Sequence, residues 1–288
     1  MAQTDGPGPQ RVVAVLGRGV VPAETPILRA DDLGALRGDG IFESVHVRDG
    51  RLWLLDEHLA RMVRSAARLE LDLPPAAALV ELAEQALAGW PAGVEGALRI
   101  VVTRGGEDGG PVTVFATLTE VGPKQLKGRR DGITVATASL GYPAGARSEA
   151  PWLLGGAKTV SYAVNMASQR WATAQGLDDV LWVSSDGWAL EAPTANLVWL
   201  ADGRLWTVPP VITGILAGIT TRWLLEHARD LGLSAGERMI RPPDLTSADG
   251  VWLASSVRGL AEIRTLDGKP LGPSGETARL REFLGFPA

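Results

Sequence analysis

The chain has 288 residues, 45% of them hydrophobic and 21% charged, enough to bury one large core or two moderate ones. Its formal net charge of −5 gives no general attraction to nucleic acid or anionic lipid, so neither is expected as a partner and a small-molecule substrate is. With no cysteine there is neither a disulfide framework nor a thiolate metal site, and His46, His58 and His227 lack metal-ligand spacing.

The opening "MAQTDGPGPQRVV" lacks a basic segment followed by an apolar one, and no apolar run approaches the ~18 residues of a membrane span, so no membrane association and a cytoplasmic location are expected. In chain order, "RVVAVLG" and "GIFESVHVRDGRLWLL" read as strands, the second folded into a hairpin at Asp49-Gly50. "DEHLARMVRSAARLEL" reads as a helix with Leu59, Met62, Val63, Ala66 and Leu69 in an apolar stripe, and "PPAAALVELAEQALAGW" as a second helix. Strands at "ALRIVVTRG" and "VTVFATLTEV" complete a small α+β domain over residues 1–121. The polar segment 122–132, "GPKQLKGRRDG", is the expected interdomain linker, and residues 133–288 form the larger domain. There "ITVATASL", "DVLWVSS", "LVWLADGRLWTV" and "GVWLASS" are expected strands, with helices over residues 160–175 and about 219–232 and a hairpin at Asp202-Gly203.

Only four lysines, Lys124, Lys127, Lys158 and Lys269, stand among 28 basic residues. A guanidinium cannot act as an amine nucleophile, so each lysine is a candidate for chemistry that needs one. Lys124, Lys127 and Lys269 lie in polar turns and read as solvated surface. Lys158, in "LLGGAKTVSYAVN", precedes a stretch whose apolar positions Val160, Val164, Ala167, Trp171 and Ala174 keep helical spacing. Next to a helix N-terminus its amine is disfavoured in the protonated form, as a Schiff-base nucleophile requires; the alternative is a lysine whose stem lies along the helix start with its head in water.

Glu191 follows a strand-turn, with Asn196 five residues on. It reads either as a carboxylate placed to keep a pyridine nitrogen protonated or as a solvated strand end. Gly214 and Gly218 precede an amphipathic helix, and the amides of Ile219 and Thr220 at its start form a possible phosphate site, a pattern that also arises for geometric reasons alone. Glu57, Arg61, Arg64 and Arg68 form a polar stripe that is either solvated or, through Arg61, turned toward a phosphate.

These blocks, in this order, resemble the class IV aminotransferases, the fold-type IV pyridoxal-phosphate enzymes. The resemblance covers residues 31–262 and rests on "RGDGIFESV", "DEHLARMVRSA", "LRIVVTRG", "AKTVSYAVNMA", "GLDDVLWVSSDGWALEAPTANLVWL", "LAGITTR" and "LTSADGVWLASSVRG". It implies a two-domain α+β fold, a small α+β N-terminal domain and a larger, β-barrel-like α/β domain with the active site between them. It also implies a homodimer. Lys158 matches the lysine that joins pyridoxal 5'-phosphate and moves protons, and Glu191 the glutamate on the pyridine nitrogen. Arg61, Gly218, Ile219 and Thr220 match the phosphate cup, to which Ser255 or Ser256 adds a hydroxyl, and Tyr162 is a candidate ligand to the phenolic oxygen.

Three activities compete within the family: branched-chain transamination, D-amino acid transamination, and the lyase that makes 4-aminobenzoate and pyruvate from 4-amino-4-deoxychorismate in folate biosynthesis. "GDGIFESV" and "LASSVRGLAEI" are more similar to the lyases, and "TRGGEDGGPV" lacks the Arg-x-His carboxylate trap of the D-specific enzymes. Glu43 departs from a lyase pattern that has threonines at 43 and 44, leaving Ser44 to supply the hydroxyl. Arg104, ahead of Arg99, is the expected contact to a substrate carboxylate. The lyase is the first expectation and a transaminase the alternative, with no catalytic metal; a non-catalytic globular protein is the remote alternative.

Overall fold

The computed structural model describes residues 11–286; residues 1–10, read above for a targeting signal, lie outside them. The chain divides into two compact units, one running to Gly122 and taking back Ala157–Ser161, the other holding Pro123–Gly156 and the chain from Tyr162 onward.

In the first unit β1 (Arg11–Val15), β2 (Gly19–Val21), β3 (Gly40–Arg48), β4 (Arg51–Leu52), β5 (Gly96–Thr103) and β6 (Thr113–Glu120) form an antiparallel sheet in the order β2-β1-β6-β5-β3-β4. Asp49 and Gly50, joining β3 to β4, both have positive φ (50° and 68°), the conformation an Asp-Gly hairpin turn supplies. The short helix α1 (Leu33–Arg37) precedes β3, and α2 (Leu55–Leu69) and α3 (Ala76–Ala88) pack on the sheet. Leu59, Met62, Ala66 and Leu69 of the expected stripe are buried, whereas Val63 is 54% exposed. The buried face of α2 is turned instead toward His58, Arg61 and Ser65, so Arg61 leaves the solvated stripe that includes Arg64 and Arg68.

The second unit opens with a departure from expectation: the segment expected as a linker contains α4 (Pro123–Asp131). Proline suits a first helical position, where its missing N–H has no partner to lose, and Gly132 at φ 81° ends the helix. The unit continues through β7 (Ile133–Ser139), α5 (Ala146–Glu149), α6 (Ala163–Ala174), β8 (Asp179–Val183), β9 (Glu191–Ala192), β10 (Ala195–Ala201) and β11 (Arg204–Thr207). It closes with α7 (Pro210–Thr213), α8 (Ile219–Glu226), β12 (Ser234–Glu237), β13 (Gly250–Ser255), β14 (Gly259–Leu266), β15 (Lys269–Pro270) and α9 (Thr277–Phe283). The sheet order is β12-β11-β10-β13-β14-β7-β8, with β15 on β14 and β9 on β10. An isolated bridge from Val183, the end of β8, to Ala189, just before β9, curls the sheet back on itself. Trp199 and Trp252 are fully buried in this unit.

Helix α6 also differs from expectation. It begins at Ala163, because Val160 is drawn into pairing with β3, and its apolar positions Val164, Ala167, Trp171 and Ala174 face outward. The helix docks through Ala172, fully buried in the core, and through polar anchors: Asn165 Nδ2 donates to Pro193 O at 2.6 Å and Gln169 Nε2 to Thr194 Oγ1 at 3.3 Å. Among the described residues no helix is long and apolar enough to cross a membrane, and no cluster of His, Asp and Glu could hold a metal ion.

Candidate active site

Lys158 belongs to the first unit although it lies far downstream of that unit's other residues. Phe42 N donates to Lys158 O (3.0 Å), Val160 N donates to Gly40 O (2.9 Å), and Thr159 bridges Ile41, so residues 158–160 act as a short added strand on the free edge of β3. Lys158 N donates to Ser65 Oγ of α2 at 3.0 Å. The expected helix-dipole effect does not apply, since α6 starts only at Ala163. Lys158 Nζ lies instead 4.4 Å from the centroid of the Phe42 ring.

Side chains alternate along β3, which sorts the neighbouring Glu43 and Ser44 onto opposite faces. Glu43 faces α2 and is fully buried: its Oε1 accepts from Arg61 Nε and its Oε2 from Arg61 Nη2, both at 2.7 Å. His58 Nδ1 lies 2.7 Å from Glu43 Oε2. Burial alone would raise the Glu43 carboxyl, but the Arg61 guanidinium and His58 outweigh it and hold the group at about 2. Burial pushes His58 below its ordinary range despite Glu43, so the neutral ring donates its Nδ1–H to the carboxylate. Phe42 and Ser44 take the other face. There Ser44 stands directly across from Arg99 of β5, whose guanidinium carbon is 5.2 Å from the Phe42 ring centroid. Arg104, the first expectation for a substrate carboxylate, is committed elsewhere: it pairs with Asp39 at 2.6 Å and donates to Leu69 O and Glu70 O, closing the C-terminus of α2.

The second unit holds the remaining expected residues. Glu191 and Asn196 face each other across the β9–β10 hairpin. Glu191 is buried, not a solvated strand end; its Oε1 accepts from Arg147 Nη1 at 3.0 Å and its Oε2 from Leu216 N at 3.1 Å. Tyr162 OH donates to Pro193 O of the same hairpin at 3.3 Å. Gly218 is the N-cap of α8 and brings no capping side chain, and Ile219 and Thr220 fill the first turn. Thr220 Oγ1 lies 3.4 Å from Ser256 Oγ, both buried. Ser255 Oγ accepts from Arg258 N at 3.4 Å. Arg129 of α4 holds the turn after Ser256 by donating to Val257 O and Arg258 O. Arg147, Ser65 and the Glu43–Arg61 pairing carry no local signal in the sequence: Arg147 and Arg61 are two of 24 arginines, and Ser65 is one small polar residue within a helix.

The family model of class IV amino-transferases matches residues 40–266. The chain is 41% identical over 272 residues to a bifunctional aminodeoxychorismate lyase / D-amino acid transaminase of Mycobacterium tuberculosis, covering 90% of this chain and 93% of that one. Two structures of a hypothetical aminotransferase from Mycobacterium tuberculosis, one PLP-bound and one bound to α-ketoglutarate and PMP, each superpose with a TM-score of 0.92 at 39% identity, covering 95% of this chain and 97% of theirs. A fold IV-transaminase from Curtobacterium pusillum gives 0.89 at 36% identity, with coverage of 95% and 97%.

Proposed function

The chain belongs to the class IV aminotransferase family, and from that premise we propose that this pyridoxal-phosphate enzyme is a 4-amino-4-deoxychorismate lyase, releasing 4-aminobenzoate and pyruvate for folate synthesis. The observation that carries the reading is Ser44. With Glu43 turned to Arg61, Ser44 is the residue of that pair left on the face of Phe42 and Arg99, where a lyase needs a hydroxyl.

The residues fit the cofactor. Thr221 Oγ1, buried in the first turn of α8, has no hydrogen-bond partner among the described residues, and the uncapped helix start offers amides to a phosphate. Bound there, pyridoxal phosphate supplies an aldehyde that condenses with amines and a protonated ring that withdraws electrons. Lys158 Nζ would be the amine that joins this aldehyde, and freed by the substrate amine it would be the base for the α-proton. Glu191 would hold the proton on the ring nitrogen, and Ile219 N, Thr220 N and Ser256 Oγ would bind the phosphate; Arg61, whose guanidinium plane Glu43 fixes, is the further phosphate ligand that the family resemblance implies. Arg99 meets a substrate carboxylate, and Ser44 Oγ donates to the oxygen of the departing enolpyruvate.

Incubation with 4-amino-4-deoxychorismate should release pyruvate and 4-aminobenzoate in equal amounts. Robust keto-acid production from D-alanine or L-leucine with no pyruvate from the chorismate derivative would overturn the proposal. Reconstituted protein should show a borohydride-sensitive band near the visible edge that Lys158→Ala lacks.

A second reading, transamination at the same site, is favoured by the double name of the 41%-identical relative and by the PMP-bound neighbour. Keto acid from D-alanine alongside lyase turnover would support both activities in one chain. A homodimer is the proposed state, supported by outward apolar side chains such as Trp152 and Val211 (80% and 86% exposed), and sedimentation equilibrium measures it.

A further inference from the structure

Asn196 has no assigned role in the chemistry above, yet it is buried beside the residues that have one. Its cross-strand partner is Glu191. Between them the two side chains hold both polar groups of a single residue: Leu216 N donates to Glu191 Oε2 at 3.1 Å, and Asn196 Nδ2 donates to Leu216 O at 2.8 Å. The other end of the same amide presses on the chain two residues later, where a Cβ built on Gly218 would stand 1.8 Å from Asn196 Oδ1. Only glycine fits at this approach, and α8 begins at the next residue.

We propose that Asn196 is a positioning residue that sets the spacing between the Glu191 carboxylate and the N-terminus of α8. The inference rests on the reading that Glu191 takes the pyridine nitrogen and α8 the phosphate. Pyridoxal phosphate is stiff across its ring, so the two contacts are made together only if the loop 214–218 holds them at one separation. The Leu216 clamp ties that loop to the Glu191 end, and the Gly218 approach ties it to the α8 end. Without the Asn196 amide the Leu216 carbonyl loses its partner, and the phosphate amides drift relative to the carboxylate.

The test compares dissociation constants for pyridoxal 5'-phosphate and for pyridoxal, which has the same ring and aldehyde but no phosphate, by absorbance titration of apoprotein. Wild type should favour the phosphorylated form, and Asn196→Ala should shrink that preference about tenfold, chiefly by weakening the phosphorylated ligand. General loosening of the fold would weaken both ligands equally and leave the ratio unchanged, which would overturn the proposal. Gly218→Ala attacks the same contact from the other side and should also shrink the ratio. Because removing the Asn196 amide relieves that collision, the double variant should be no worse than Gly218→Ala alone; additive losses would sink the idea even if Asn196→Ala folds poorly. If wild type itself does not distinguish the two ligands, the phosphate reading of α8 fails rather than the role of Asn196 within it.

Discussion

Glu43 accepts Arg61 through both oxygens at 2.7 Å with the two side chains 0% and 6% exposed, whereas Glu191 meets Arg147 through one oxygen at 3.0 Å and gives the other to a main-chain amide. Both are buried glutamates beside an arginine, and their surroundings assign them different work. A carboxylate gripped by a planar guanidinium and an imidazole is fixed as an anion and serves as a support. One whose oxygens meet Arg147 and the Leu216 amide lies in the β9–β10 hairpin, where the proposed contact to the ring nitrogen falls. The first arrangement orients an arginine; the second orients a carboxylate.

Removing the charge from each glutamate separates the two roles. Glu43→Gln leaves Arg61 buried without its counter-charge and should cost about 3–5 kcal/mol in urea unfolding. Glu191→Gln should lower kcat by about 10²-fold while stability moves far less. Equal stability losses in the two variants would erase the distinction.

Acid unfolding sharpens it further. The folded Glu43 carboxyl, at about 2, lies below its ordinary 4.5, so its contribution is fully present above about 4.5 and is lost as pH falls toward about 2. Stability measured across that window should therefore decline more steeply in wild type than in Glu43→Gln. Matching slopes would mean that the pair does not titrate as described.

How much of this was legible in the sequence depends on how local each signal is. The Asp49-Gly50 and Asp202-Gly203 turns and the Leu59, Met62, Ala66 and Leu69 stripe are written in a few neighbouring residues, and the structure has them. Lys158 could be singled out as a rare amine, but its pairing with β3 joins positions more than a hundred residues apart and leaves no periodic trace. Arg61 sits in a polar stripe whose spacing is that of a wet helix face, and its partner Glu43, on another element, is buried. The outward apolar positions of α6 show the converse. Helical spacing marks a stripe without saying what it faces, and here the docked face is the one that carries Ala172 and the polar anchors Asn165 and Gln169.

The two arginines of the first unit that the sequence offers as carboxylate contacts supply the smallest and most selective test. Arg104 is about one-third exposed, so its pairing with Asp39 is screened and its contacts to the last carbonyls of α2 carry most of its effect. Arg104→Ala should therefore cost about 1 kcal/mol in stability and leave KM unchanged. Arg99 is exposed, shares a face with Ser44 and Phe42, and closes no helix. Arg99→Ala should raise KM for the carboxylate substrate about tenfold with stability within about 0.5 kcal/mol of wild type. A raised KM in Arg104→Ala with unaltered unfolding would return the carboxylate contact to Arg104, and with it the order in which the sequence alone ranked the two.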